Sequence, residues 1–133
     1  MRVGRALTIR QPWASMIVWG LKTVEVRSWS TEYRGEIFIH AAKRIDERAA
    51  SLFCLDDLPR GALLGTVQLV DVEPLTPDRW KQLADDHLQT GACEPGLYAW
   101  HVASPKALGY PIQFQGELGL FQISIDEALV PCL

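Results

Sequence analysis

The sequence predicts an α+β fold, a small and partly open mixed β-barrel of about five or six strands with helices packed at its ends. Three observations point there. Short segments of alternating or β-branched apolar residues recur along the whole chain. A few amphipathic helical stretches interrupt them, without the strict alternation that a parallel α/β sheet needs. No repeat, low-complexity stretch or Pro/Gly/Ser linker divides the 133 residues, so a single domain over 1–133 is expected.

Ala6 to Arg10 is β-like. Gln11-Pro12-Trp13 opens a helix that runs to Trp19, with Pro12 in the first turn, where its missing N–H is tolerated. Trp13, Met16 and Ile17 recur at helical spacing, Gly20 stops the helix, and its apolar stripe should lie across one opening of the barrel. Lys22 to Ser28 reads as a strand in which Val24 and Val26 alternate with Thr23, Glu25 and Arg27, so the three polar side chains share a face. Tyr33-Arg34-Gly35 is a turn. Glu36 to Ala41 is a strand, with Ile37 and Ile39 on one face and Phe38 and His40 on the other.

Ile45 to Leu55 looks helical, with Ile45, Ala49, Leu52 and Phe53 as its stripe. Ala62 to Val72 is a long apolar strand expected at the centre of the sheet, bent at Gly65. Thr76 and Pro77 are the N-cap and first residue of another helix; its stripe is Trp80, Leu83, Ala84 and Leu88, and Gly91 follows it. Leu97 to Val102 is a strand, Leu108 to Gln115 a second that Pro111 confines to an edge, and Gly119 to Ile125 completes the set.

A chain that is 48% hydrophobic and 22% charged supports a packed core and excludes a disordered tail. Cys54, Cys93 and Cys132 are odd in number, widely spaced and lack a CxxC pair, so neither a disulfide framework nor a zinc ribbon is expected. The histidines lack HExxH spacing, and no GxSxG, P-loop or GxGxxG motif occurs; no metal and no cofactor are expected. The longest apolar run, Trp13 to Leu21, is broken by Ser15 and Gly20 and is too short to span a bilayer. With no signal-peptide pattern and reduced thiols, a soluble cytoplasmic protein is expected.

Net charge is −3, yet residues 1–48 carry nine basic and five acidic side chains, and the remainder four basic and eleven acidic. A local basic face on an acidic molecule favours a short or flexible anionic partner over long duplex; an accidental, solvated asymmetry is the alternative. The densest polar group is Lys22, Glu25 and Arg27 within six residues. Buried, these charges would need each other, and paired they offer a floor for a phosphate or nucleobase, with Arg27 as a planar fork, Lys22 as a point charge and Glu25 as an acceptor from an exocyclic amine. Solvated, they would be surface ion pairs. Trp29, at the end of that strand, is either core or a rim aromatic on which a base stacks. His40 ends an apolar run and is either a satisfied structural residue or part of the site.

Leu7-Thr8-Ile9-Arg10-Gln11-Pro12-Trp13-Ala14, Gly20-x-Lys22-Thr23-x-Glu25-x-Arg27-Ser28-Trp29, Tyr33-Arg34-Gly35 and Ile37-Phe38-Ile39-His40-Ala41 together resemble the ASCH (activating signal cointegrator 1 homology) domain. The resemblance implies a PUA-like β-barrel with a cleft lined by the Gly-x-Lys-x-x-Glu-x-Arg segment, and a role as an RNA- or DNA-binding module. One bacterial branch of the family resembles an amidohydrolase of N4-acetylcytidine that uses a lysine, a threonine and a glutamate. Its lysine falls on Lys22, its threonine position is Glu25 here, and Asp85 or Asp86 would stand nearest its glutamate. The expected function is a binding module for RNA, single-stranded nucleic acid or a modified nucleoside. Lys22, Arg27 and either Lys43 or Arg34 would meet phosphate, Glu25 and His40 would orient the base, and Trp29 at the rim would stack. The rivals are a hydrolase acting on an N-acylated nucleoside, with Lys22 as base and Glu25 polarising water, and a protein-interaction domain.

Overall fold

The computed structural model describes residues 1–130; Pro131 to Leu133, including the third cysteine, Cys132, lie outside the described residues. In chain order the elements are β1 (Arg2–Gln11), α1 (Trp13–Val18), β2 (Val24–Arg27), β3 (Gly35–Ile45), α2 (Glu47–Leu52), β4 (Ala62–Pro74), α3 (Pro77–Gln82), α4 (Ala84–His87), β5 (Tyr98–Gln113) and β6 (Leu120–Ile125), followed by a 3-10 turn at Glu127–Leu129.

The six strands form one sheet in the order β2-β5-β4-β3-β1-β6. Every neighbouring pair is antiparallel except β1 with β3. The mixed α+β architecture and the strand number match the sequence reading. The sheet does not close, however: β2 and β6 are its two ends. The expected barrel is therefore an open sheet, and β1, β3, β4 and β5 all reach the short helix α1. All six residues of α1 are buried.

Tertiary pairing explains the elements that differ from expectation. β5 is one strand of 16 residues where the sequence suggested two. It pairs with β4 along its length, whereas β2 covers only Tyr98 to His101. Pro105 and Pro111 lie in the half that β2 leaves uncovered, where a missing N–H breaks no second ladder. The irregularity appears instead as positive φ at Ser104 and shifted register against β4. Ile45 ends β3, so α2 starts at Glu47, and Leu52 points outward. The second helical stretch breaks at Leu83 into α3 and α4 and ends at Leu88, which takes the left-handed conformation (φ 61°), three residues before Gly91, which also has positive φ. The Thr76 side chain caps it through Arg79 N, as its sequence foretold.

β4 does lie inside the sheet, with Ala62 to Val67 all buried. Gly65 is required there, because a Cβ would come 2.3 Å from the Lys106 carbonyl oxygen. The two faces of β3 separate as alternation predicts. Ile37 and Ile39 join Leu7, Ile9 and Trp100 beneath α1, and Phe38 packs with Ala6, Leu63, Phe121 and Ile123 on the opposite face. A third cluster, Val24, Leu75, Trp80, Leu83 and Ala99, seats α3 against β2.

Candidate functional site

The segment after α1 is positioned by backbone geometry. Gly20 turns with φ +82°, and the N–H groups of Leu21 and Lys22 both donate to the Met16 carbonyl. That turn sends the Lys22 side chain under α1. There Nζ lies 4.7 Å from the centre of the Trp13 ring and donates to the His87 carbonyl at 2.5 Å. Glu25 Oε1 is 3.8 Å from Lys22 Nζ, and Glu25 Oε2 is 3.4 Å from Arg27 Nη1, so the carboxylate bridges two cations. Arg27 Nη1 also donates to the Thr8 carbonyl at 3.3 Å, and the guanidinium stands 5.7 Å over the Trp29 ring. Glu25 and Arg27 share one face of β2 while Val24 and Val26 pack toward α3. Thr23 leaves that face; it is exposed, and its hydroxyl donates to Asp86 Oδ1.

Burial pushes the Lys22 pKa down from 10.5 to about 8, and the neighbouring Glu25 carboxylate opposes the shift. Lys22 is only 1% exposed. It lies beneath the site rather than in it.

Above this group is a cleft of about 480 Å³. Its walls include Thr8, Arg10, Trp13, Glu25, Arg27 and Asp46, with Gln89, Glu117 and Leu118 at its edges. Two arginines face three carboxylates, so the cleft is mixed in charge, in contrast to the expected basic one. Asp46 is held in place as the N-cap of α2, accepting from Ala49 N at 3.0 Å and from Trp13 Nε1 at 3.2 Å. Gln89 Oε1 is the one buried side-chain nitrogen or oxygen among the described residues that has no hydrogen-bond partner.

The remaining predicted site residues fall in three places. His40 and Lys43 line an adjoining cleft of about 420 Å³ that shares Thr8, Ala42, Glu117 and Leu118 with the first. His40 is 2% exposed, and both ring nitrogens are engaged: Nε2 with the Phe114 carbonyl at 2.6 Å, Nδ1 with Thr8 Oγ1 at 3.1 Å. A carbonyl can only accept, so Nε2 carries the proton and Nδ1 accepts from Thr8. Trp29 is half-buried, edge-on to Trp100 at 4.7 Å, with its backbone carbonyl accepting from Trp100 Nε1; it props Arg27 from outside the cleft walls. Arg34 stands apart from the clefts, bonded to the carbonyls of Thr31 and Tyr33 and 3.6 Å from Asp71.

Sequence reasoning did not single out Thr8, Arg10, Asp46, Gln89 or Glu117. Arg10 and Thr8 stood in the first motif; the others come from three separate loops or caps and left no periodic signal. Asp86 is engaged with Thr23 and, like Asp85, is absent from the cleft walls. Among the described residues no cluster of three or more His, Cys, Asp or Glu side chains could hold a metal, and no helix is long and apolar enough to cross a membrane.

An open mixed sheet around a buried short helix, with a charged cleft where β1, β2 and β3 end, defines a small α+β domain built around a ligand-sized recess. The family model described as the ASCH domain matches residues 7–117, and the chain belongs to the ASCH domain family. Activating signal cointegrator 1 from Homo sapiens is 39% identical over 82 residues, which is 51% of this chain and 14% of that protein. The Mus musculus protein of the same name matches over the same extent. The chain thus covers only a small part of the length of these relatives. In structure, the ASCH protein from Zymomonas mobilis superposes with a TM-score of 0.70 at 17% identity, covering 96% of this chain and 94% of that one. A point variant of that protein gives 0.67 at 16% identity, covering 90% and 87%. These likenesses show the fold.

Proposed function

We propose that this ASCH domain is a binding module for RNA, single-stranded nucleic acid or a modified nucleoside, with the ligand's base in the cleft above Glu25 and Arg27. The observation that carries this reading is the Glu25–Arg27 pair on the wall of a recess of about 480 Å³. A guanidinium fork beside a carboxylate offers donors and acceptors side by side, the complement of a nucleobase edge. Burial of Glu25 and the props from Thr8 and Trp29 fix that pair before a ligand arrives, which lowers the cost of binding. The balance of charge in the cleft suits a base better than a naked phosphate. Lys22 contributes from below, by holding Glu25.

Fluorescence or NMR titration with cytidine, N4-acetylcytidine, short single-stranded RNA and matched duplex DNA tests the reading. The expected result is a preference for the single strand, weakening with salt, with amide shifts centred on Glu25 and Arg27. Tight, salt-insensitive duplex binding, or no binding to any of the four, would overturn it.

The lowered Lys22 pKa favours a second reading, an amidohydrolase acting on an N-acylated nucleoside. Against it, Lys22 is sealed from the cleft and Glu25 occupies the place of a nucleophilic threonine. Chromatographic detection of cytidine formed from acetylcytidine separates the two: the binding reading expects little or no turnover.

A further inference from the structure

The central cleft is not isolated. On one side it shares Trp13, Asp46 and Gln89 with a cleft of about 570 Å³ beside α2. On the other it shares Thr8, Ala42, Glu117 and Leu118 with the cleft of about 420 Å³ over His40. Each of the three has a volume within the range of a single small-ligand site, roughly 300–1,000 Å³. Their common walls make the three recesses direct neighbours, and together they offer more room than a lone nucleoside fills.

The charges follow the groove. Arg48 lies on the α2 end, Arg10 and Arg27 at the centre, and Lys43 on the His40 end, with Glu25 at the centre and Asp46 and Glu117 on the walls between the recesses. All four cations belong to the basic first 48 residues of an otherwise acidic chain. Arg48, Arg10 and Lys43 are exposed. At least one cation at each recess suits a phosphodiester chain, which carries a charge at every nucleotide.

Leu118 is the second, independent observation. It is 99% exposed, yet it stands on the shared wall of the central and His40 clefts. The loop that carries it is fixed close to the sheet: the Phe114 carbonyl accepts from His40, Leu120 pairs with Leu7, and Gly116 packs so tightly that a Cβ would come 2.8 Å from His40 Cε1 and Thr8 Oγ1. A bare leucine held at the boundary between two recesses is placed to separate two successive bases, as apolar wedges do elsewhere between base steps.

Resting on the binding reading above, we propose that the three clefts act as one groove for a single-stranded oligonucleotide of about three linked nucleotides, with Arg48 and Lys43 at its ends and Leu118 as the wedge between two of its bases. The occupant is a strand, and a free nucleoside fills only the central recess.

The test is a length series of single-stranded RNA of one, two, three and six nucleotides, titrated against the wild type and against Arg48→Ala, Lys43→Ala and Leu118→Ser. These side chains are exposed, and circular dichroism checks that the variants fold. Affinity should rise about tenfold or more from one nucleotide to three, because linkage makes the later contacts intramolecular, and change less than about threefold from three to six. Each variant should weaken trinucleotide binding by roughly fivefold, and Arg48→Ala and Lys43→Ala, whose side chains lie outside the central recess, should leave mononucleotide binding within about twofold. Equal affinity for one and three nucleotides, a continuous rise through six, or variants that bind the trinucleotide as the wild type does would overturn the groove while the central binding reading stands. Failure of every RNA and of cytidine to bind would overturn both.

Discussion

Lys22 Nζ donates to the backbone carbonyl of His87, a residue 65 positions later, and both residues are closed off from solvent. This bond ties the segment leading into β2 to the end of α4. His87 is itself locked: Nε2 donates to the Trp80 carbonyl at 2.9 Å, Nδ1 accepts from Gln89 N at 2.9 Å, and the ring lies against Trp80 at 4.1 Å. Through that chain of contacts Lys22 sets where Leu88 and Gln89 stand on the cleft wall.

Replacing the lysine therefore damages stability first. In Lys22→Met the His87 carbonyl and the Glu25 carboxylate both lose a buried donor, and the expected loss is about 3 kcal/mol by urea denaturation at pH 7. Ligand binding should fall as a consequence of the displaced wall. A variant as stable as the wild type would show that the buried ammonium is dispensable.

The same lysine gives a pH signature. Its folded pKa, about 8, lies below the ordinary 10.5, so the unfolded chain binds more protons than the folded one between those values. Below about pH 8 the cost of burying the ammonium is fully present; as pH rises toward 10.5 it is relieved. The stability difference between wild type and Lys22→Met should thus grow across that window. A flat difference would contradict the burial argument.

Glu73 also has a lowered pKa, but here because its charged form is held by partners rather than penalised by burial. Arg79, which grips it at 2.7 and 3.1 Å, and His101 at 2.6 Å hold its carboxyl down at about 2, from an ordinary 4.5. The stabilisation is complete above about pH 4.5 and is lost as pH falls toward 2. Glu73→Gln should melt at a lower temperature than the wild type near neutral pH, with the gap closing in acid and shrinking with salt, because the cluster is partly exposed.

Gly116→Ala should cost about 1–3 kcal/mol, since its Cβ overlaps His40 and Thr8 and neither can retreat without breaking their mutual bond. Thermal melts measure it. An unperturbed melt would mean that the loop from Phe114 to Gly119 rides higher over the sheet.

Gln89→Met offers a gain. The orphan Oε1 is removed and an apolar chain of similar length replaces it, so stability should increase by about 1 kcal/mol. Gln89 also stands on the shared wall of the groove, and oligonucleotide affinity should fall in the same variant. Equal stability and equal affinity together would leave Gln89 without a role.

What sequence alone determined is what period-two and helical spacing encode. The alternation in Val24 to Arg27 put Glu25 and Arg27 on a face opposite the valines, and that in Ile37 to His40 divided the two core clusters. The Thr76-Pro77 cap and the interior place of β4 were equally legible, because each depends on a few adjacent residues. The tertiary structure alone decided which partners those faces meet. No local pattern could say that Lys22 would find the His87 carbonyl, or that Asp46, Gln89 and Glu117 would share one recess with Arg27. Nor could it say that Pro105 would fall where β5 has no second neighbour, whereas Pro111 had marked its own stretch of the strand as an edge. Such meetings depend on sheet order and register, which sum over many weak long-range pairings. Spacing along the chain records only the direction in which a side chain leaves its strand.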